Sequence, residues 1–157
     1  MAMPVTLRPV QLEDQVFLFD LYASTRADEM AIWGWDAAQQ VAFLTQQFRA
    51  QQQHYKAQYP DAEHCIIRHN DCDVGGIMTA ELSDMIVLVD IALLPEERGH
   101  GIGTTLIQDL QTRSVRTGKP LHLHVLSTNH AATRLYQRLC FRTICHDEPY
   151  FEMEWSS

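Results

Sequence analysis

Long apolar runs are missing from this chain, and so is any surplus of positive charge. No uncharged stretch approaches the roughly 20 apolar residues that span a bilayer. Met1 to Val10 carries no basic start followed by an apolar run, so neither a membrane partner nor a signal peptide is expected. Twelve lysines and arginines stand against 20 aspartates and glutamates, for a formal net charge of −8. That balance argues against nucleic acid as a partner, because non-specific binding needs basic surface. It mildly favours a cationic substrate, although solubility alone also accounts for an acidic surface. The four cysteines, Cys65, Cys72, Cys140 and Cys145, show no CxxC spacing. Free thiols in a reducing cytoplasm fit them better than a disulfide scaffold. Linkers and internal repeats are absent too. What remains is an ordinary globular composition, 46% hydrophobic and 20% charged over 157 residues, sized for one domain spanning residues 1–157.

The chain is organised around Ile86 to Val115. Eight of the nine residues from Ile86 to Leu94 are apolar, as expected of a strand covered on both faces, and Pro95 ends it. Arg98-Gly99-His100-Gly101-Ile102-Gly103 follows. Leu106, Ile107, Leu110 and Val115 then recur at helical spacing. A glycine-rich turn frees backbone amides, and the helix behind it adds unpaired N–H groups and its positive dipole end, so the segment is suited to hold an anion. Two other glycine signatures fail. No Lys follows the glycines as a P-loop requires, and Leu106 stands where a dinucleotide fingerprint needs its third glycine. A tight turn with no ligand would use the same residues.

Around this centre, Val5 and Leu7 suggest a first strand ending near Pro9. Leu12 to Ala23 reads as a helix with Val16, Phe19 and Ala23 inward and Asp14 and Asp20 outward. Periodicity is lost from Thr25 to Asp36. Asp36 with Gln39 forms a capping box opening a second helix, striped by Val41, Leu44 and Phe48 beneath a glutamine-rich face. Strands are expected at His64–Arg68 and Gly75–Leu82, making a three-stranded antiparallel meander with the central strand. Leu121–Leu126 is a strand, Asn129–Leu139 a helix, and Phe141–Cys145 and Tyr150–Trp155 are short strands. This order predicts an α/β fold with three layers, α/β/α, around a central mixed, mostly antiparallel sheet of six to seven strands. The strand ending near Leu94 and the one starting near Leu121 should run parallel.

Two segments carry a family resemblance. RGHGIG at Arg98–Gly103 resembles the Arg/Gln-x-x-Gly-x-Gly/Ala pyrophosphate loop of the GNAT superfamily of acetyl-CoA-dependent N-acetyltransferases. Asn129 to Phe141 resembles that family's N-x-x-A-x-x-L-Y-x-x-x-G-F signature, with Cys140 standing where glycine is usual. The resemblance implies the same three-layer fold, with its two parallel strands splayed into a V-shaped notch. It implies acetyl-CoA as co-substrate and direct transfer of acetyl to an amine. The pyrophosphate would lie on the amides from Gly99 through Thr104, including those of His100, Gly101, Ile102 and Gly103. Asn129 would contact the pantetheine arm, backbone N–H groups near Leu93 and Leu94 would polarise the thioester, and Tyr136 would protonate the departing thiolate. At the family's usual general-base position stands Asp90, shorter than the common Glu by one methylene, which favours relay through a water.

Other readings of these residues stand beside the resemblance. Tyr136 also fits a core-edge tyrosine bonded to backbone, and Asp90 a carboxylate that organises a loop through amide hydrogen bonds. Arg98 and Arg134 are candidates for the phosphates because guanidinium groups offer a fork of donors. Met30, Trp33 and Trp35 are candidates to line the acceptor pocket, or simply to pack between two helices. His122 and His124 alternate onto one strand face, a spacing metals use, but no third ligand lies near in sequence, so no metal is expected. The acceptor is a small-molecule or peptide amine. A coenzyme A sensor without chemistry and a transferase for a longer acyl group are the rival functions, and the short C-terminal strands are candidates to pair across a homodimer.

Overall fold

Turn chemistry and strand patterning divide the chain into seven strands and four helices in a computed structural model that describes residues 4–157. The first three residues of the Met1–Val10 segment lie outside that range. Strands β1 (Val5–Pro9), β2 (Glu63–His69), β3 (Cys72–Glu81) and β4 (Ile86–Leu93) follow one another antiparallel. Beyond them come β5 (Leu121–Leu126), β6 (Arg142–Asp147) and β7 (Tyr150–Trp155), giving one sheet in the order β1-β2-β3-β4-β5-β7-β6. Among the described residues only β4 and β5 are parallel neighbours. Helices α3 (Ile102–Thr117) and α4 (His130–Arg138) cover one face, where Ile102, Leu106, Ile107 and Leu110 meet Ile77, Leu88, Leu121, Leu123 and Met153 in the main core. Helices α1 (Gln15–Trp33) and α2 (Ala37–Gln58) lie on the other face, where Gly76 leaves room for Leu18 and Leu21. This is the expected three-layer architecture with a mixed, mostly antiparallel sheet.

Helix α1 departs from the sequence reading in length and in rotation. It does not stop near Ala23 but runs to Trp33, because Arg26 bonds Glu29 (2.7 Å) one turn ahead and the Tyr22 hydroxyl (2.8 Å) one turn behind. These polar pairs carry the helix through the segment that lacks apolar periodicity. Gly34, at φ +67, ends it. The inward residues are Leu18 and Leu21, while Val16 is exposed. Asp14 is also buried rather than outward. It accepts two bonds from Arg8 (2.9 and 2.8 Å) and one from the Gln11 N–H (2.8 Å), which satisfies a carboxylate that could not otherwise be enclosed. In α3 the inner stripe closes on Ser114, whose hydroxyl donates to the Lys119 carbonyl, and Val115 faces water instead. The capping box at the head of α2 is present in both directions, with Asp36 accepting from the Gln39 N–H and the Gln39 side chain accepting from the Asp36 N–H.

Strand β3 begins at Cys72, three residues before the expected start, because Asn70 and Asp71 both take left-handed backbone (φ +54 and +60) and make a tight hairpin with β2. The parallel pair is short. Ladder partners run only from Ile86–Leu88 on β4 to Leu121–Leu123 on β5, after which the two strands separate.

Candidate active site

The site is built where β4 and β5 part. Met78 pairs with Asp90, but Thr79 pairs with Leu88, so Val89 is an extra residue on β4. A bulge of this kind shifts the alternation of side chains by one. Leu88 therefore points into the α3 core with Ile77, while Asp90 shares the opposite face with its cross-strand neighbour Met78 and, one strand further, His64. Sequence alternation alone would have put Leu88 and Asp90 on the same side.

Asp90 is the floor of a notch open on one side. Solvent reaches it, yet protein encloses its remaining sides and raises its pKa to about 6, against the pull of the Ile91 N–H that stabilises the carboxylate. Tyr136 on α4 is buried, and burial, followed by the charge of Asp90, pushes its phenol up to about 12. The two groups named from the sequence thus lie within electrostatic reach of each other, one poised to titrate near neutrality and one held protonated. The Tyr136 hydroxyl makes no hydrogen bond among the described residues, unlike a tyrosine tied to backbone. Its ring packs on Phe141 (centroids 5.6 Å apart).

That contact belongs to the end of α4. The Phe141 N–H donates to the Tyr136 carbonyl (3.0 Å) and the Cys140 N–H to the Gln137 carbonyl (3.0 Å), the two bonds of a Schellman motif, with the apolar contact between its first and last members. The motif requires a left-handed residue, and Cys140 supplies it at φ +71. The turn expected of glycine therefore forms around cysteine, at the strain a side chain brings there.

The loop before α3 is open. Gly99 and Gly101 have φ +77 and +83, and no atom lies within 4 Å of where a side chain would start on either. Gly101 is the N-cap of α3, which leaves the N–H groups of Ile102, Gly103 and Thr104 without helical acceptors. The Ile102 side chain is buried in the core, anchoring the cradle from beneath. Arg98 is folded onto the loop, its Nε donating to the Leu93 carbonyl at 3.1 Å. Arg134 is exposed on α4. Asn129 caps α4 by accepting the Ala132 N–H (3.2 Å).

At the end of β4 the Leu94 N–H is engaged with the Val74 carbonyl (2.9 Å), so it is not an open donor. N–H groups alternate between neighbours along an antiparallel strand, which directs the Leu93 N–H to the β5 side and the notch. Gly75 permits this close pairing, since a Cβ there would lie 2.3 Å from the Ala92 carbonyl oxygen.

The residues expected at the acceptor side are dispersed. Met30 is buried in the α1 layer, at 2% exposure. Trp33 and Trp35 stack with Phe43 at the α1–α2 turn, with centroids 5.1 to 5.5 Å apart, and remain partly exposed. The side chain from this layer that bears on Asp90 is Tyr55 of α2, whose phenol is raised by burial and then by Asp90. Its signal was present in the sequence as a late continuation of the Leu44–Phe48 stripe under the glutamine-rich face. His122 and His124 do share a face of β5. His122 is buried against Glu154 (2.7 Å) with its other ring nitrogen 3.4 Å from Glu152, and His124 stands 3.9 Å from Glu152. Among the described residues no His, Cys, Asp and Glu cluster has the makings of a metal site. No described helix is long and apolar enough to cross a membrane.

Solved structures share this architecture. An N-acetyltransferase, PaiA, from Thermoplasma acidophilum in complex with coenzyme A is 17% identical, with 99% of this chain and 100% of that one covered at a TM-score of 0.73. The ribosomal-protein-S18-alanine N-acetyltransferase of Escherichia coli is 18% identical, with 98% and 96% covered at 0.66. A GNAT-family acetyltransferase from Elizabethkingia anophelis with acetyl-CoA bound is 13% identical, with 98% of each covered at 0.62. At these identities they establish the fold. The sequence profile of the acetyltransferase (GNAT) family matches residues 25–141, a span that takes in the bulged strand, the glycine loop and the capped helix of Tyr136, and the chain is a member of that family.

Proposed function

We propose that the protein transfers the acetyl group of acetyl-CoA directly to a primary amine held in the same complex. The observation that carries this reading is the convergence of an open amide cradle, a notch between separating strands, and Asp90 and Tyr136 within reach of each other at that notch. Amides from Gly99 to Thr104 hold the pyrophosphate, with Arg134 beside them and Arg98 bracing the loop. The free side-chain amide of Asn129 meets the pantetheine arm. Leu93 donates its N–H to the thioester oxygen as negative charge develops there.

Asp90, ionised above a pKa of about 6, takes a proton from the acceptor ammonium directly or through water. The freed nitrogen lone pair attacks the carbonyl carbon, the C–N bond forms, and the C–S bond breaks. Tyr136, held protonated by burial, gives its proton to the departing thiolate, and the phenolate so formed takes the second proton from the new amide nitrogen. No covalent enzyme intermediate enters this sequence. Trp33, Trp35 and Met30 belong to the layer that covers the acceptor side. Coenzyme A and acetyl-CoA in the similar structures support the choice of co-substrate.

Calorimetry tests the cofactor half of this reading. Acetyl-CoA should bind and NAD should not, and binding of NAD alone would overturn it. Mass spectrometry of protein incubated with acetyl-CoA tests the mechanism, with no stoichiometric acetyl-cysteine expected.

A further inference from the structure

Helices α3 and α4 touch at two places along α3. Gly103, in its first turn, faces Leu135 of α4, and a Cβ there would start 3.7 Å from the Leu135 Cδ2. Two turns further, about 12 Å along the axis at the usual helical rise, the half-buried side chain of Gln111 crosses to α4. Its Nε2 donates to the Leu139 carbonyl at 2.8 Å. Among the described residues this is the one side-chain hydrogen bond between the two helices. It joins the helix whose head forms the amide cradle to the helix that carries Tyr136.

The acceptor of that bond has a particular place. Leu139 is the C-cap of α4, so its carbonyl is among those that a helix end leaves without an intrahelical partner. The same carbonyl belongs to the peptide plane between Leu139 and Cys140, whose N–H donates to the Gln137 carbonyl (3.0 Å). Gln111 therefore completes the bonding of this plane. The plane leads directly into Cys140, which holds φ +71 with a side chain in place. Phe141 then returns its N–H to the Tyr136 carbonyl, which also takes the Leu139 N–H (3.1 Å), and lays its ring on that of Tyr136. A rotation of the Leu139–Cys140 plane would carry Phe141, and the packing of the phenol, with it.

We infer that Gln111 is a positioning residue for the transfer: by holding the Leu139–Cys140 peptide against the strain at Cys140, it fixes the Tyr136 phenol relative to the cradle at the head of α3. The inference rests on the proposed role of Tyr136 as general acid. It adds a residue that acts through the end of α4 and not on the reacting atoms.

Fluorine NMR of protein carrying 3-fluorotyrosine tests it, with coenzyme A as the probe. The chain has five tyrosines, and the Tyr136 resonance is the one missing from Tyr136→Phe. In the wild type that resonance should shift when coenzyme A binds, because the thiol arrives beside the phenol. Gln111→Met keeps the length of the side chain and removes its donor. This variant should bind coenzyme A with an unchanged Kd, while its Tyr136 resonance loses most of the shift. Adding Cys140→Gly relieves the strain that the lost bond opposed and should restore the shift. Ile67→Val loosens the same core from β2 and should lower the melting temperature with the shift intact. A full shift in Gln111→Met would overturn the inference, as would a loss that Cys140→Gly leaves unrestored or that Ile67→Val reproduces. Coenzyme A binding that leaves the wild-type Tyr136 resonance unmoved overturns the general-acid reading beneath it. Failure to bind coenzyme A overturns the transferase reading as a whole.

Discussion

The two helical layers are held to the sheet very differently. Helix α3 buries Ile102, Leu106, Ile107, Leu110 and Ser114 within 16 residues, whereas the 22 residues of α2 bury only Leu44 among those described. Helix α1 leaves Val16 and Ile32 largely in water, at 73% and 83% exposure. In the proposed function, recognition on the cofactor side would rely on backbone amides at the head of a firmly seated helix, and on the acceptor side it would fall to side chains of the α1–α2 layer. A layer with little core can change its surface without unfolding the domain, which suits the side of an acetyltransferase that must match its acceptor.

The sharpest way to break this division is at its boundary. Tyr136→Phe removes one proton and keeps the ring on Phe141. If Tyr136 is the general acid, single-turnover acetyl transfer should fall by about 10²–10⁴-fold, toward the lower end because a thiol is a fair leaving group. The acetyl-CoA Kd should hardly move. Wild-type turnover would return the residue to packing.

Asp90→Asn comes next. The turnover of the wild type should rise with pH through about 6 as the carboxylate ionises. Stability should move the opposite way. The folded-state pKa lies above the ordinary 3.8, so the stabilisation from a protonated Asp90 is complete below about pH 4 and lost as pH rises through about 6. The asparagine variant should therefore be slow, and its gain in melting temperature over wild type should be larger at pH 8 than at pH 4. Equal shifts at both pH values would contradict the raised pKa.

A buried and an exposed truncation set the scale of the comparison. Ile107→Ala should lose about 2–5 kcal/mol in denaturant unfolding, while Ile32→Ala, on the water-facing side of α1, should stay within about 0.5 kcal/mol. Similar losses would mean that the last turn of α1 is packed as firmly as α3. The smallest effect is a gain. Cys140→Gly relieves a side chain at φ +71 and should stabilise the protein by about 1 kcal/mol.

The same division explains what could be read from the sequence. The glycine turn and the capped helix were legible because their geometry is local: Gly99 and Gly101 set the turn, and Asn129 and Tyr136 stand at fixed helical offsets. The capping box at Asp36 was legible for the same reason. The length of α1 was not, because Arg26 sustains it through side-chain pairs that leave no apolar period. Asp14 read as a solvent residue because its partner Arg8, which also pairs with Asp73, is brought to it by a strand. Tyr55 could be placed on the α2 stripe, but its relation to Asp90 crosses from helix to sheet and could not be read. Leu94 lost its N–H to Val74 through a pairing that only the register reveals.

The extra residue at Val89 works like a change of reading frame in the pleat. Upstream of it, β4 is written for the oily side under α3; downstream, the same alternation addresses the notch. Were Val89 to take an ordinary place in the ladder with β3, without the bulge, Asp90 would turn toward Leu106 and Ile107. A carboxylate there would have neither water nor a partner. A cleaner strand would thus make a poorer protein, and the defect in the hydrogen-bond ladder is the device that lets a single strand serve a dry core and a solvent-reached carboxylate one after the other.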